Sequence, residues 1–260
     1  MGLGDNYFGE FGIGTYGAGT ESKVPVKVAS LGTGVKAVAA GSGFSLALMK
    51  DGTVRSWGDN FYGQLGNGAD PFGDEPGPVG NLSNVKAIAT DGDAAHVLAL
   101  LENGTVRSWG RNNDGQLGDG SILPGTSRET PVRVANLTGV EAVAVGGHSL
   151  ALLASGRVKS CGDNNYGELG NGTHGFDTDR STPVNVTGLD NVRSISAGTY
   201  DSLAILETGR ARSWGNNFHG QLGNGTSGDA ADSDLPAGVK NLTGIRNMDG
   251  GDGFALAATQ

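Results

Sequence analysis

Four side chains in this sequence have the chemistry to move protons. His96, His148 and Asp201 each open an apolar run (HVLALL, HSLALL, DSLAIL), and His219 follows Phe218 in a glycine-flanked segment. Three imidazoles can hold zinc, and one imidazole oriented by Asp201 or Asp114 can serve as a general base. Neither an HExxH spacing nor a nucleophile elbow accompanies them. What they offer is unspecialised proton transfer, of the kind an isomerase, cyclase or lyase uses inside an aromatic pocket. The DTD at 177–179 and the DSD at 232–234 lack the Gly and terminal Glu of a calcium loop, and no phosphate-binding loop is present. Neither a metal nor a cofactor is expected.

Binding is the competing chemistry. Tyr7 and Phe8, Phe61 and Tyr62, Tyr166, and Phe218 beside His219 all follow a Gly-x-Asn step, where another unit carries Asn113 and Asp114. Phe44, Tyr200 and Phe254 lie at the start of the apolar runs. Together these turns hold nine of the thirteen Phe and Tyr residues. Phe44 and Phe254 suit packing under a neighbouring element as well as they suit binding. The adjacent pairs cannot both point inward, and exposed aromatics bring large contact area at little rotamer cost. The longer loops add charge: Asp70, Asp74, Glu75, Asp177, Asp179, Asp229, Asp232 and Asp234 are among ten acidic residues there, facing only Lys23, Arg128 and Arg180. Such a rim favours a cationic ligand or a basic protein patch, and solvated, solubilising loops are the plainer alternative.

These residues are positioned by a repeat. GFSLALMKDGTVRSWGDNFYGQLGNG at 43–68 returns from His96, His148 and Asp201, so that Trp57, Trp109, Cys161 and Trp214 are equivalent and lie 52, 52 and 53 residues apart. Each unit reads as four short strands, here 35–41, 44–50, 53–58 and a short one around Pro-Val such as 24–28, separated by Gly-rich turns. Four strands per repeat make a propeller blade. The chain opens with LGDNYFGEFGIG, matching WGDNFYGQLGNG, and stops with GFALAATQ, matching GFSLALMK. Joined, these pieces give a fifth unit, with a shortened third strand because nothing matches 51–54. The expectation is one all-β domain over 1–260, a closed five-bladed β-propeller whose last blade is completed by both termini. Closure hides sheet edges that would otherwise invite pairing.

Composition agrees and excludes. There are 48 glycines in 260 residues, far above the average of about 7%, without a Gly-X-Y period. A net charge of -9 has the wrong sign for a nucleic-acid surface. No apolar run approaches the roughly 18 residues of a membrane span, and the first twenty residues lack a signal peptide's basic start and apolar core. As written the chain reads as cytoplasmic, or as secreted if Met1 is not the native start. Cys161 is the single cysteine and cannot form an intrachain disulfide.

The SLAL strand, the Asp-Gly turn, the Ser-Trp-Gly strand end and the Gly-Gln-Leu-Gly-Asn-Gly segment, in that order and at this spacing, resemble the regulator of chromosome condensation (RCC1-like) repeat family across essentially the whole chain. The resemblance implies a β-propeller that acts mostly as a protein-interaction platform, with structural histidines before the SLAL strand. It departs in blade number, five here against a familiar seven. The photoreceptor branch carries a Gly-Trp-Arg-His-Thr signature that is absent here.

Strand parity places the turns of Phe44, His96, His148, Tyr200 and Phe254 at the same end as the segments after Gly-x-Asn. The leading reading is a monomeric binding propeller that presents an aromatic, acid-rimmed face to a protein partner or to a small cationic or aromatic ligand, through Tyr7, Phe8, Phe44, Phe61, Tyr62, Asp114, Tyr166, Tyr200, Phe218 and Phe254. The second is a small-molecule enzyme using His96, His148, Asp201 and His219. A lectin with one site per blade is a third, and the disagreement between units at these turns argues against it.

Overall fold

Short runs of Val, Ala and Leu between obligatory turns can satisfy their backbones only by pairing with the next run, which gives a meander. The computed structural model describes residues 1–68, 72–123, 125–228 and 230–259; Asp70 and Asp229 lie outside the described residues. Two strands come first, β1 (Gly2–Gly4) and β2 (Ser22–Val26), paired antiparallel as an N-terminal half-blade. The first complete blade is β3 (Val35–Gly41), β4 (Phe44–Met49), β5 (Val54–Asp59) and β6 (Phe72–Pro78). The second is β7 (Val85–Ala89), β8 (His96–Leu101), β9 (Val106–Gly110) and β10 (Arg128–Arg133). The third is β11 (Val140–Val145), β12 (His148–Leu153), β13 (Val158–Gly162) and β14 (Arg180–Asn185). The fourth is β15 (Val192–Ala197), β16 (Asp201–Leu206), β17 (Ala211–Gly215) and β18 (Ser233–Gly238). A C-terminal half-blade, β19 (Ile245–Gly250) with β20 (Ala255–Thr259), ends the chain.

The all-β propeller expectation therefore holds, with five repeat units present as four complete blades and two halves. β1 has three residues where its counterparts have five or six, as the missing match to 51–54 requires. The two halves stand as separate two-stranded sheets, with no ladder between β1 and β20 among the described residues. No helix of the described residues is long and apolar enough to cross a membrane.

Blades stack through apolar side chains. Leu46 and Leu48 of the first blade share a cluster with Val85, Val97 and Trp109 of the second, and the same pattern recurs at each of the next three junctions. Burial of each Leu contributes about 1.5–3 kcal/mol relative to exposure. A polar link accompanies the packing. The indole of Trp57 donates to the Glu10 carbonyl at 2.7 Å, Trp109 to Gln64 at 2.9 Å and Trp214 to Glu168 at 2.7 Å. Cys161 faces the equivalent Gln116 carbonyl at 3.8 Å.

Glycine is required where the third strand turns out of the sheet. Gly215 has φ +102°, and a Cβ there would lie 2.6 Å from the Tyr200 carbonyl oxygen. Only a residue without a side chain lets that strand end lie against the turn before β16, and the same step sets the direction of every following segment.

Candidate functional site

In every unit the segment after the third strand is built on a buried asparagine. The Oδ1 atoms of Asn6, Asn60, Asn112, Asn164 and Asn217 accept from the backbone N–H five residues on, at 2.8–3.1 Å. The amide of Asn164 donates to the Thr173 carbonyl at 2.8 Å and to the Thr178 hydroxyl at 2.9 Å, and Asn112 does the same with Ser121 and Thr126. One side chain thus ties together both ends of the long loop. The residue just after it is free to face outward. In the sequence Gly-x-Asn marks the period, and an asparagine returning five times at one place in the repeat is the signal of its structural role.

On that platform the expected aromatics do stand out of the fold. Phe61 is 80% exposed, and Tyr7, Phe8, Tyr166, Tyr200, Phe218 and Phe254 are also exposed, with Tyr62 half-buried. Adjacent pairs meet edge to face: Tyr7 with Phe8 at 5.1 Å, Phe61 with Tyr62 at 4.9 Å, and Phe218 with His219 at 4.8 Å. Edge-to-face contact holds both rings outside the core without giving up their mutual attraction. Phe44 is different. It is 1% exposed and packs with Leu46 and Leu48 in the first junction, so its ring is part of the core.

Neighbouring blades bring these residues together in pairs. Tyr166 of the third blade meets Tyr200 of the fourth at 5.6 Å, and the Arg111 guanidinium of the second lies 5.9 Å from the Tyr62 ring of the first. Arg111 also pairs with Asp114 at 3.2 Å, so the Asp114 carboxylate is already engaged within its own loop. Tyr166, Tyr200, Phe218 and His219 line one cleft of about 380 Å³, and Asp232 and Asp252 complete its wall. Phe254 lies outside this cleft, in a second one beside β20.

Carboxylates crowd the same end. Burial pushes Asp179 up to about 6, with Asp163 and Asp114 adding repulsion. Burial also raises Asp163, which feels Asp114. Burial raises the Tyr200 phenol too, reinforced first by Asp252. Of the acidic residues expected to form a rim, Asp179 and Asp232 also hold the Asn164 and Asn217 backbone N–H groups, at 2.9 and 2.7 Å. Asp234 approaches His174 at 3.3 Å. Asp93, Asp163 and Asp252 were not singled out by sequence. They sit in turns rather than in the long acidic loops, and only the fold brings them beside Tyr200.

Of the four proton-transfer candidates, His96 and His148 lie near enough to feel each other's charge, but each is engaged elsewhere. His96 Nε2 pairs with the Ser149 hydroxyl at 2.9 Å and His148 Nε2 with Ser202 at 2.6 Å, each reaching into the next blade. Burial holds both imidazoles down to about 3, so both are neutral at physiological pH. Asp201 is fully buried at the equivalent place, where the next unit offers Ala255 instead of the partner serine, and neither carboxylate oxygen has a hydrogen-bond partner. Burial, then Asp252 and Asp91, push it up to about 7. His219 alone of the four is exposed. Cys161 is buried, and its thiol is pushed up to about 12 by burial, which makes it unreactive.

A family model described as the RCC1-like domain matches residues 1–257. The chain is 33% identical over 230 residues to the probable E3 ubiquitin-protein ligase HERC6 of Homo sapiens, covering 86% of this chain and 22% of that one. It is 31% identical over 228 residues to the ultraviolet-B receptor UVR8 of Arabidopsis thaliana, covering 85% and 50%. Among solved structures, Prp20p of Saccharomyces cerevisiae, described with its binding properties to Gsp1p and histones, superposes with a TM-score of 0.77 at 28% identity over 89% of this chain and 57% of that one. A structure of Kap60 bound to yeast RCC1 (Prp20) gives a TM-score of 0.79 at 27% identity, covering 91% and 56%. The chain spans about half or less of the length of these relatives. Repeat, blades and comparisons agree, and the chain belongs to the RCC1-like domain family.

Proposed function

We propose that this propeller is a protein-interaction module whose loop face takes a basic segment of a partner protein. One observation carries the reading: Tyr166, Tyr200 and Phe218, from two blades, line one cleft with Asp232 and Asp252. Aromatic faces attract a cation through their quadrupoles, by about 0.5–2 kcal/mol, and nearby carboxylates add charge complementarity. A Lys or Arg side chain, or a small organic cation, fits that combination. The relatives whose descriptions name protein partners lend the class of function, not the partner. An enzyme reading gains no support, because His96, His148 and Asp201 are sealed between blades and only His219 reaches the cleft.

The test is fluorescence anisotropy with a labelled Arg/Lys-rich peptide and an acidic peptide as control. The basic peptide is expected to bind and the acidic one not, with Phe218→Ala and Tyr166→Ala each weakening binding by about tenfold, the loss typical of a hot-spot aromatic. Equal binding by the variants and the parent would place the interaction elsewhere.

A further inference from the structure

Where the first and second blades meet, the fold already holds a cation on an aromatic ring. The Arg111 guanidinium lies 5.9 Å from the Tyr62 ring and donates to the Asp114 carboxylate at 3.2 Å. Tyr62 stands four residues after Gly58, and Arg111 and Asp114 stand one and four after Gly110. The chain thus supplies a cation to the ring and a carboxylate to the cation.

Where the third and fourth blades meet, the same repeat positions are Tyr166, Asn216 and His219. The ring is kept, and both charged residues are gone. Tyr166 instead meets Tyr200 at 5.6 Å and 75°, Phe218 meets His219 at 4.8 Å and 87°, and all four rings line the cleft of about 380 Å³. Planes set near right angles wall a site on more than one side. These rings come from the third and fourth blades, whose four-stranded sheets are complete. Tyr166, Tyr200 and Phe218 are 38–49% exposed, so each keeps area open to a ligand.

The side-chain acceptors beside the rings are mostly spent. Asn216 Oδ1 accepts from the Phe218 N–H at 3.2 Å and the Gln221 amide at 2.7 Å, Gln221 Oε1 accepts from the His219 N–H at 3.0 Å, and Asp232 holds the Asn217 N–H. An ammonium or guanidinium entering there loses hydration without the partner that Asp114 gives Arg111. A cation whose N–H groups are replaced by methyls makes no such demand. Ring faces attract its charge, its methyls pack on the rings, and the exposed Asp252 adds an opposite charge. We propose, on the reading of the loop face as a protein-binding site, that this cleft takes a trimethylated lysine side chain of the partner protein.

The experiment is fluorescence anisotropy with one labelled peptide made in three forms, its central residue Lys, trimethyl-lysine or Arg. The trimethyl-lysine form is expected to bind about tenfold tighter than the other two, the gain of several ring faces around a desolvated cation. Asn216→Arg with His219→Asp rebuilds beside Tyr166 the arrangement of Arg111 and Asp114, and should abolish that preference. Phe218→Leu keeps apolar bulk without the ring face, and should lose most of it; both variants should match the parent in circular dichroism. A trimethyl-lysine form that binds no tighter than the others overturns the inference and leaves the protein-binding reading standing. So does a preference that survives both variants. Absence of binding by all three peptides overturns both. Choline that displaces the peptide with the peptide's own affinity overturns the lysine side chain as occupant, in favour of a free quaternary ammonium.

Discussion

Glu168 occupies the position that Gln64, Gln116 and Gln221 fill in other units. One oxygen accepts the Tyr166 N–H at 2.9 Å, as Gln64 does for Tyr62, while the other is buried without a partner. Burial, and secondarily Asp163, push the carboxyl up to about 8 from 4.5. Between those two pH values the unfolded chain loses the proton and the folded chain keeps it, so folding stability falls as pH rises through that window, by a few kcal/mol on an order-of-magnitude scale. Glu168→Gln removes the penalty, and its amide can donate to Asp163 as Gln64 donates to Asp59 at 2.8 Å. Thermal melts should show a higher Tm for E168Q, with the gain small at pH 5 and largest near pH 8. Asn164 is the opposite case. Asn164→Ala strands the Leu169 N–H and the Thr173 carbonyl together, each costing about 1–3 kcal/mol when buried unpaired, and urea denaturation should show a loss of that order. Its role was hidden in the sequence because its partners lie 5, 9 and 14 residues away, in loops of differing composition.

Between elements, the histidines before the SLAL strand act as rivets from one blade to the next. His96 reaches Ser149 and His148 reaches Ser202, but the series breaks at Asp201, which faces a unit with Ala255. Asp201→His with Ala255→Ser is expected to restore the third rivet. The double variant should be more stable than either single one, with a coupling of about 1 kcal/mol in a double-mutant cycle. Strand positions were largely legible. The run at 35–41 is β3 residue for residue, and those at 44–50 and 53–58 match β4 and β5 within one residue at each end. The outer strand was harder, expected at 24–28 and found at Ser22–Val26. Outer strands pair with a register shift, as where Gly58 opposes Gly73 but Ser56 opposes Gly77, and alternation cannot reveal a bulge.

At the scale of the molecule, the charge of -9 is unevenly spent, and the loop end holds carboxylates that raise one another. Asp179, held near 6, gains its charge as pH rises from 5 to 7. Binding of a basic peptide should therefore strengthen over that range at fixed ionic strength, and its association rate should fall with added salt. Repeat length and the two matching ends disclosed five units and the exposed aromatics beside the asparagine step. Two things were not legible. Phe44 has the residue type of a binding group and the position of a core one, and the meeting of the chain ends depends on curvature summed over four junctions.

The indole links carry one more implication. Trp109 and Trp214 each tether one blade to the carbonyl of the blade before it, so apolar and indole cohesion passes between nearest neighbours. The Thr199 hydroxyl, donating to Asp93 at 3.0 Å, ties the fourth blade to the second across the loop end. Backbone amides of the second and third blades, flanked on both sides, should exchange with deuterium most slowly. Those of the half-blades, β1–β2 and β19–β20, should open first, so that under load the molecule unzips inward from them rather than melting at once.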